Sequence, residues 1–434
     1  MLYLCFNVNI FNQPKPKKSD SNVGLFAFTQ LMKKLYTNYL NTFRGLSTEV
    51  WWLALMTFIN RSGTMIIPFL SIYLREDLHI SQSNVGWVMT CFGLGSVVGV
   101  WIGGKLTDKI GYYKVMVRSL LTTGFLFIGL QFLDTFTQVC FGIFLVMAVA
   151  DTFRPAMGVA MSVYSKPENK TRSVTLIRLA INLGFSAGPA IGGLIIAKIG
   201  YSGLFWVDGV TCILATFLLI GVLNPRKAKP IDEVVNENPI SVNKDKPYWI
   251  FFAAMVLFAF IFLQYFSTMT LYYKYVHLLT VTEIGLLLGL NGFTIFLMEM
   301  PLIAYLEKLN YSKIGLTLFG LLLTVLSFYV LNLTSWIGIL VIGMLLATLG
   351  EMIGFPMSNA FAMQRSKRGK QGQYLAMYVM AFSIASIFGH NAGLQIASYY
   401  GYTFTWYVMC GLGFIGILLL VYLRLILKRK NELN

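Results

Sequence analysis

"GPAIGGLIIAKIGYSGLFW" (residues 188–206) returns as "GHNAGLQIASYYGYTFTW" (389–406). Gly188 stands over Gly389, Gly192 over Gly393, Tyr201 over Tyr402 and Trp206 over Trp406. The likeness extends upstream: "ADTFRPAM" (150–157) falls over "GEMIGFPM" (350–357), and "NVG" (84–86) over "EIG" (283–285). A repeat this long, carrying many apolar segments, predicts a duplicated membrane bundle whose two halves face each other across a midplane site.

Composition agrees. Of 434 residues, 56% are hydrophobic and 12% charged, against about 25% charged in a soluble domain. Segments of roughly 20 apolar residues recur along the chain. The pattern predicts an all-α membrane protein of twelve transmembrane helices in two pseudo-symmetric six-helix bundles. Residues 49–223 form the first bundle and 248–434 the second bundle and tail. The polar, Pro-containing stretch 224–247 is the cytoplasmic linker between them. Residues 1–48 read as a cytoplasmic extension, disordered over 1–31, with an interfacial helix or a simple basic flank as the two readings of 32–47.

The net charge of +16, from 34 Lys and Arg against 18 Asp and Glu, would suggest nucleic acid in a soluble chain. Here 29 of the 34 lie in the N-terminus and alternate connections, while the intervening connections hold Arg75, Lys198 and Lys274. That asymmetry places both termini and the linker in the cytoplasm and accounts for the charge without a nucleic acid. Short connections and the lack of a long targeting peptide point to a prokaryotic inner membrane. Two halves in one chain point to a monomer. The Cys residues show no metal-type or paired spacing and read as small hydrophobes. No metal or cofactor site is expected, and no catalytic triad or phosphate-binding loop supports an enzyme.

Four charges sit where charge is most costly, at roughly 2.5–3.5 kcal/mol each. Asp151 is about 14 residues from each end of span four (137–164). Arg154 follows one turn later on the same face. Glu351, on span ten (336–363), is 15 residues from Trp336, and Arg61, on span one (50–74), is 14 from Arg75. All four belong near one depth, in a polar cavity. Two roles are open. Asp151–Arg154 and Arg61–Glu351 are structural pairs, or an acid cycles its proton and biases which side opens. Glu299, His390 and Asn60 are further substrate or proton candidates, with Asn182, Gln264, Asn291 and Asn391 as polar contacts. Arg178 is expected to reach the cytoplasmic interface. Small residues four apart, Gly95, Gly99 and Gly103 on span two and Gly184, Gly188 and Gly192 on span five, put smooth faces between helices.

"GGKLTDKIGYYKV" (103–115) resembles the signature of the major facilitator superfamily between spans two and three. Gly104, Leu106, Asp108, Lys109 and Gly111 match, and Tyr112 and Tyr113 replace its basic pair. The resemblance implies a cytoplasmic latch in which Asp108 caps a helix, with Gly104, Lys109 and Gly111. "GFSAGPAIGG" (184–193), with Gly184, Gly188, Pro189, Gly192 and Gly193, is similar to the fifth-span motif of drug:proton antiporters. That implies proton-coupled export of drugs or amphiphilic metabolites, with a small molecule, protons and the bilayer as partners. "TFINRSGTM" (57–65) resembles the first-span E-x-x-E-R signature of peptide transporters. Arg61 is kept, but Thr57 and Asn60 stand where the two acids belong. Proton-coupled uptake of small peptides or other zwitterions is the alternative it implies. A non-transporting membrane sensor is a third class, against which stands the lack of an attached output domain.

Overall fold

A computed structural model describes residues 45–62, 65–166, 170–225, 241–309, 311–366, 368, 371–430 and 432. Residues 1–46 are one unit and Ser47–Asn434 another. The expectations for the N-terminal extension, including the interfacial helix up to residue 44, and for linker residues 226–240 lie outside the described residues.

The second unit is helical. Its helices are α1 (Thr48–Ser62), α2 (Ile66–Glu76), α3 (Gln82–Ile110), α4 (Tyr112–Leu130), α5 (Phe136–Ala150), α6 (Phe153–Tyr164), α7 (Lys170–Ile199) and α8 (Tyr201–Val222). After the linker come α9 (Lys246–Phe262), α10 (Thr268–Tyr275), α11 (Val281–Lys308), α12 (Lys313–Val330), α13 (Gly338–Ser366) and α14 (Gln371–Arg429). Among the described residues, 11 helical segments are long and apolar enough to cross a membrane. The last of them runs through a break at Gly401, where φ is 81° and ψ 170°. Gly200, at the equivalent place between α7 and α8, has φ 90°. Both positions lie in the left-handed region that glycine adopts without strain. Starts are marked by side-chain caps: Thr135 and Thr280 each form a reciprocal capping box, with Gln138 and Glu283. Large apolar side chains such as Trp101, Phe132, Phe141 and Phe217 are exposed, as a lipid-facing surface requires.

Three expected spans are divided. Span four breaks at Asp151–Thr152 because Pro155 has no N–H and its ring would collide with the carbonyl four residues back, that of Asp151. Span one divides into α1 and α2. Span seven divides into α9 and α10 through a tight turn at Leu263–Phe266. The last two breaks are one event repeated at an offset near 200 residues.

α2 begins inside the protein. Its leading N–H groups, on Met65 and Ile66, donate to the two carboxylate oxygens of Asp208 on α8, each at 2.9 Å. Helix ends leave such donors unpaired, and no water is at hand in a bilayer core to take them. Asp208 is fully buried.

Candidate functional site

The break after α5 sets the first group of polar residues. Asp151 is buried, and its carboxylate accepts from Arg154 Nε at 2.7 Å and from the Ser96 hydroxyl on α3. α3 comes this close because its glycines leave no room for anything larger. A Cβ added at Gly95 or Gly99 would lie 2.4 or 2.5 Å from a carbonyl oxygen of α5, and one at Gly103 2.5 Å from Thr152 Cα. The Arg154 side chain is 52% exposed. Arg61, near the end of α1, lies over the Phe185 ring at 5.6 Å and within electrostatic reach of Arg154 and Asp151. Asn60 donates to Cys212 Sγ at 3.6 Å.

The second group joins residues far apart in sequence. Arg178 and Asn182, one turn apart on α7, both donate to the buried Glu299 of α11, Asn182 at 2.9 Å. Farther along α11, Asn291 donates to Thr348 Oγ1 at 2.8 Å and, at 3.5 Å, to Glu351 of α13. Glu351 lies within electrostatic reach of Glu299 and Arg178.

Depth along a span therefore did not decide the grouping. Arg61, Asp151 and Arg154 come together, whereas Glu351 sits with Glu299. The pairing of Arg61 with Glu351 is replaced by these contacts, because each residue finds a partner on a nearer helix. Arg178, whose side chain is 39% exposed, is held by a carboxylate on the adjoining helix. His390 belongs to neither group. It is buried, with Nδ1 2.9 Å from Ser267 Oγ beside the α9–α10 break and its ring edge-on to Phe92.

The span-five glycines serve two faces of α7. Gly184, Gly188 and Gly192 meet Arg61, Ser62 and Met65 of the first span. Pro189 and Gly193 turn to α11. A Cβ at Gly193 would lie 2.6 Å from Val281 O, and one at Gly285 2.4 Å from Pro189 O. α3 and α14 meet as closely, with Gly93 against the Ser386 carbonyl and Ser83 exchanging hydrogen bonds with Gln395 at 2.8 and 2.9 Å. Lys274 pairs with Glu76 at 3.2 Å, and Arg75 lies 4.7 Å over Tyr275. These two contacts are reciprocal: the cation at each of two equivalent positions reaches the residue after its counterpart. Hydrogen bonds and ion pairs joining the first six spans to the rest are found from this Arg75 side down to Arg178–Glu299.

The latch residues lie on the opposite side, marked by Gly111. Asp108 and Lys109 are exposed, and Gly104 has open space around it. Asp108 caps no helix in this structure. It lies in the last turn of α3, an end that does not favour an acid, and α4 starts at Gly111 without a side-chain cap. Gly111 itself has φ 87°.

Two clusters were missed in the sequence. Asp208 carried the signal of an acid within an apolar run and was passed over. At the Gly111 side, Arg365 binds Asp245 through two nitrogens, each at 2.8 Å, and Glu432 at 3.0 Å; Arg368 also reaches Glu432, at 2.9 Å. Burial alone would raise the Asp245 carboxyl, but the Arg365 hydrogen bonds and charge prevail and hold it below its ordinary range. Its stabilisation is therefore complete above the ordinary Asp value and fades as pH falls through the lowered one. Wild type should melt well above Asp245→Asn at neutral pH in detergent, and that gap should narrow steadily on acidification. A gap independent of pH would show that the charge is not what stabilises.

The sequence model of the Major Facilitator Superfamily matches residues 51–390 and 279–434. The uncharacterized MFS-type transporter YttB of Bacillus subtilis (strain 168) is 25% identical over 354 residues, covering 79% of this chain and 87% of YttB. The multi-drug resistance efflux pump PmrA homolog of Lactococcus lactis subsp. lactis (strain IL1403) is 24% identical, covering 80% and 87%. Among solved structures, a peptide transporter POT in complex with sulfate superposes with a TM-score of 0.73 at 15% identity, over 89% of this chain and 96% of that one.

Proposed function

The chain belongs to the major facilitator superfamily, and from that premise we propose that it works by alternating access, exporting drug-like or amphiphilic small molecules in exchange for protons. The observation that carries this reading is the meeting of α7 and α11 at Arg178, Asn182 and Glu299. Groups from the two sequence halves are joined there at a buried carboxylate, where a change of charge can alter how the halves sit. Export is supported by the fifth-span motif and by the likeness to the PmrA homolog.

The rest of the architecture follows as part of the proposal. At ~1.5 Å per residue, the 57-residue segment from Gln373 is far longer than the ~30 Å hydrocarbon layer. Counted as two spans meeting at Gly401, it gives twelve, six in each of two bundles. The distribution of Lys and Arg supports a cytoplasmic Gly111 side and cytoplasmic termini, and the short connections support a prokaryotic inner membrane. The arrangement described is then inward-facing, closed on the outside by the Arg75–Tyr275 and Lys274–Glu76 contacts and parted around Asp108. Arg154, half out in the parted region, meets the substrate, with Asp151 as its counter-charge. Each chain contains both halves and acts as a monomer.

The test is reconstitution in liposomes with an imposed pH gradient. Wild type should move a cationic dye such as ethidium in a gradient-dependent way, and Asp151→Asn and Glu351→Gln should lose most of that dependence. Dye movement that does not depend on the gradient in wild type would defeat the reading. Dipeptide accumulation driven by an inward proton gradient would favour zwitterion uptake instead.

A further inference from the structure

The two polar groups differ in what holds them. Asp151 is satisfied within one half, by Ser96 of α3 and Arg154 of α6. Moving one half against the other need not disturb it. Both oxygens of Glu299 are satisfied from across the divide, by Arg178 and Asn182 of α7. Any motion that draws α7 from α11 at this level strips the carboxylate of its cation and its amide together.

The surroundings cannot replace them. Glu299 is buried. Its other charged neighbour is Glu351, also an acid, whose hydrogen-bond donor is the neutral amide of Asn291. Among the described residues, Tyr378 on α14, bonded to Ser358 at 2.9 Å, is the remaining titratable group near Arg178. One guanidinium thus faces two carboxyl groups. Removing one partner of a buried ion pair is strongly unfavourable, because it leaves an uncompensated charge in a poor solvent for it. A proton removes that penalty.

We infer that Glu299 is the proton-operated strut of the transporter: α7 and α11 part only when Glu299 takes up a proton, with Arg178 as its positioning residue. This rests on the alternating-access reading above and names the group at which the proton acts. The proton comes from water in the cavity, ends the Arg178–Glu299 ion pair, and returns to water when the pair re-forms. No other bond changes.

The experiment needs no substrate. Spin labels at Ile199→Cys on α7 and Leu286→Cys on α11, both exposed positions, report the separation of the two helices in liposomes. From mildly alkaline to mildly acidic pH, the wild-type background should shift towards the longer distance. A protonated-carboxyl infrared band should grow with the same midpoint. Glu299→Gln should hold the longer distance at every pH and lose that band. Arg178→Gln should move the midpoint to higher pH, and Arg178→Lys should restore it. Retention of the wild-type pH response in Glu299→Gln would overturn the inference. Dye transport in the same liposomes separates the two claims. A gradient-driven exporter with an unaltered Glu299→Gln response refutes the strut alone, whereas no gradient dependence in wild type refutes the exporter.

Discussion

Asp208→Ala should leave little folded protein in the membrane. Two backbone N–H groups at the start of α2 lose both acceptors, each at 2.9 Å. An unsatisfied buried donor costs ~1–3 kcal/mol, so the pair costs roughly 2–6 kcal/mol against a total stability of about 5–15 kcal/mol. Asp208→Asn should fall between, because its side chain offers one acceptor oxygen and turns an NH2 towards the second donor. Size-exclusion profiles and melting temperatures in detergent read the order wild type, Asn, Ala. An Ala variant as stable as wild type would mean that α2 finds other acceptors.

Gly93→Val and Gly285→Val should each hold the Arg75 side open. The atoms nearest an added Cβ are backbone, Ser386 at 2.7 Å and the Pro189 carbonyl at 2.4 Å, so no side chain can swing away. Overpacking costs typically ~1–3 kcal/mol, and every ~1.4 kcal/mol is a tenfold change in an equilibrium. Each variant should shift the equilibrium constant away from the described arrangement about tenfold, and the two together about a hundredfold. Labelling of a cysteine placed near Arg61 by a membrane-impermeant thiol reagent added from outside should rise accordingly, and transport should fall. Unchanged labelling in the double variant would show that these helices part elsewhere.

The all-helical, membrane-spanning fold was legible because its signals are coarse. Apolar length and the repeat do not depend on knowing which helix touches which. The candidate site was legible residue by residue but not as groups. Asp151 and Arg154 are three residues apart, so helical spacing alone brought them together. Arg178 and Glu299 lie 121 residues apart, and nothing in a single sequence pairs them. The distance along each span gave depth but not direction around the bundle, which is why Arg61 was matched to Glu351. The divided helices were partly readable, since Pro155 marks the break at Asp151. Asp208 was readable by the rule that found the other buried acids, and its role became plain only with the start of α2 beside it.

The ion cluster at Arg365 bears on how the protein is handled. Glu432 lies two residues before the end of the sequence, yet it takes hydrogen bonds from Arg365 and Arg368 and so ties the tail to the entrance of α9 through Asp245. Trimming the chain at Leu427 would remove the carboxylate shared by two guanidinium groups. A purification handle carried on a flexible spacer leaves that tie in place and is the better choice for every measurement named above.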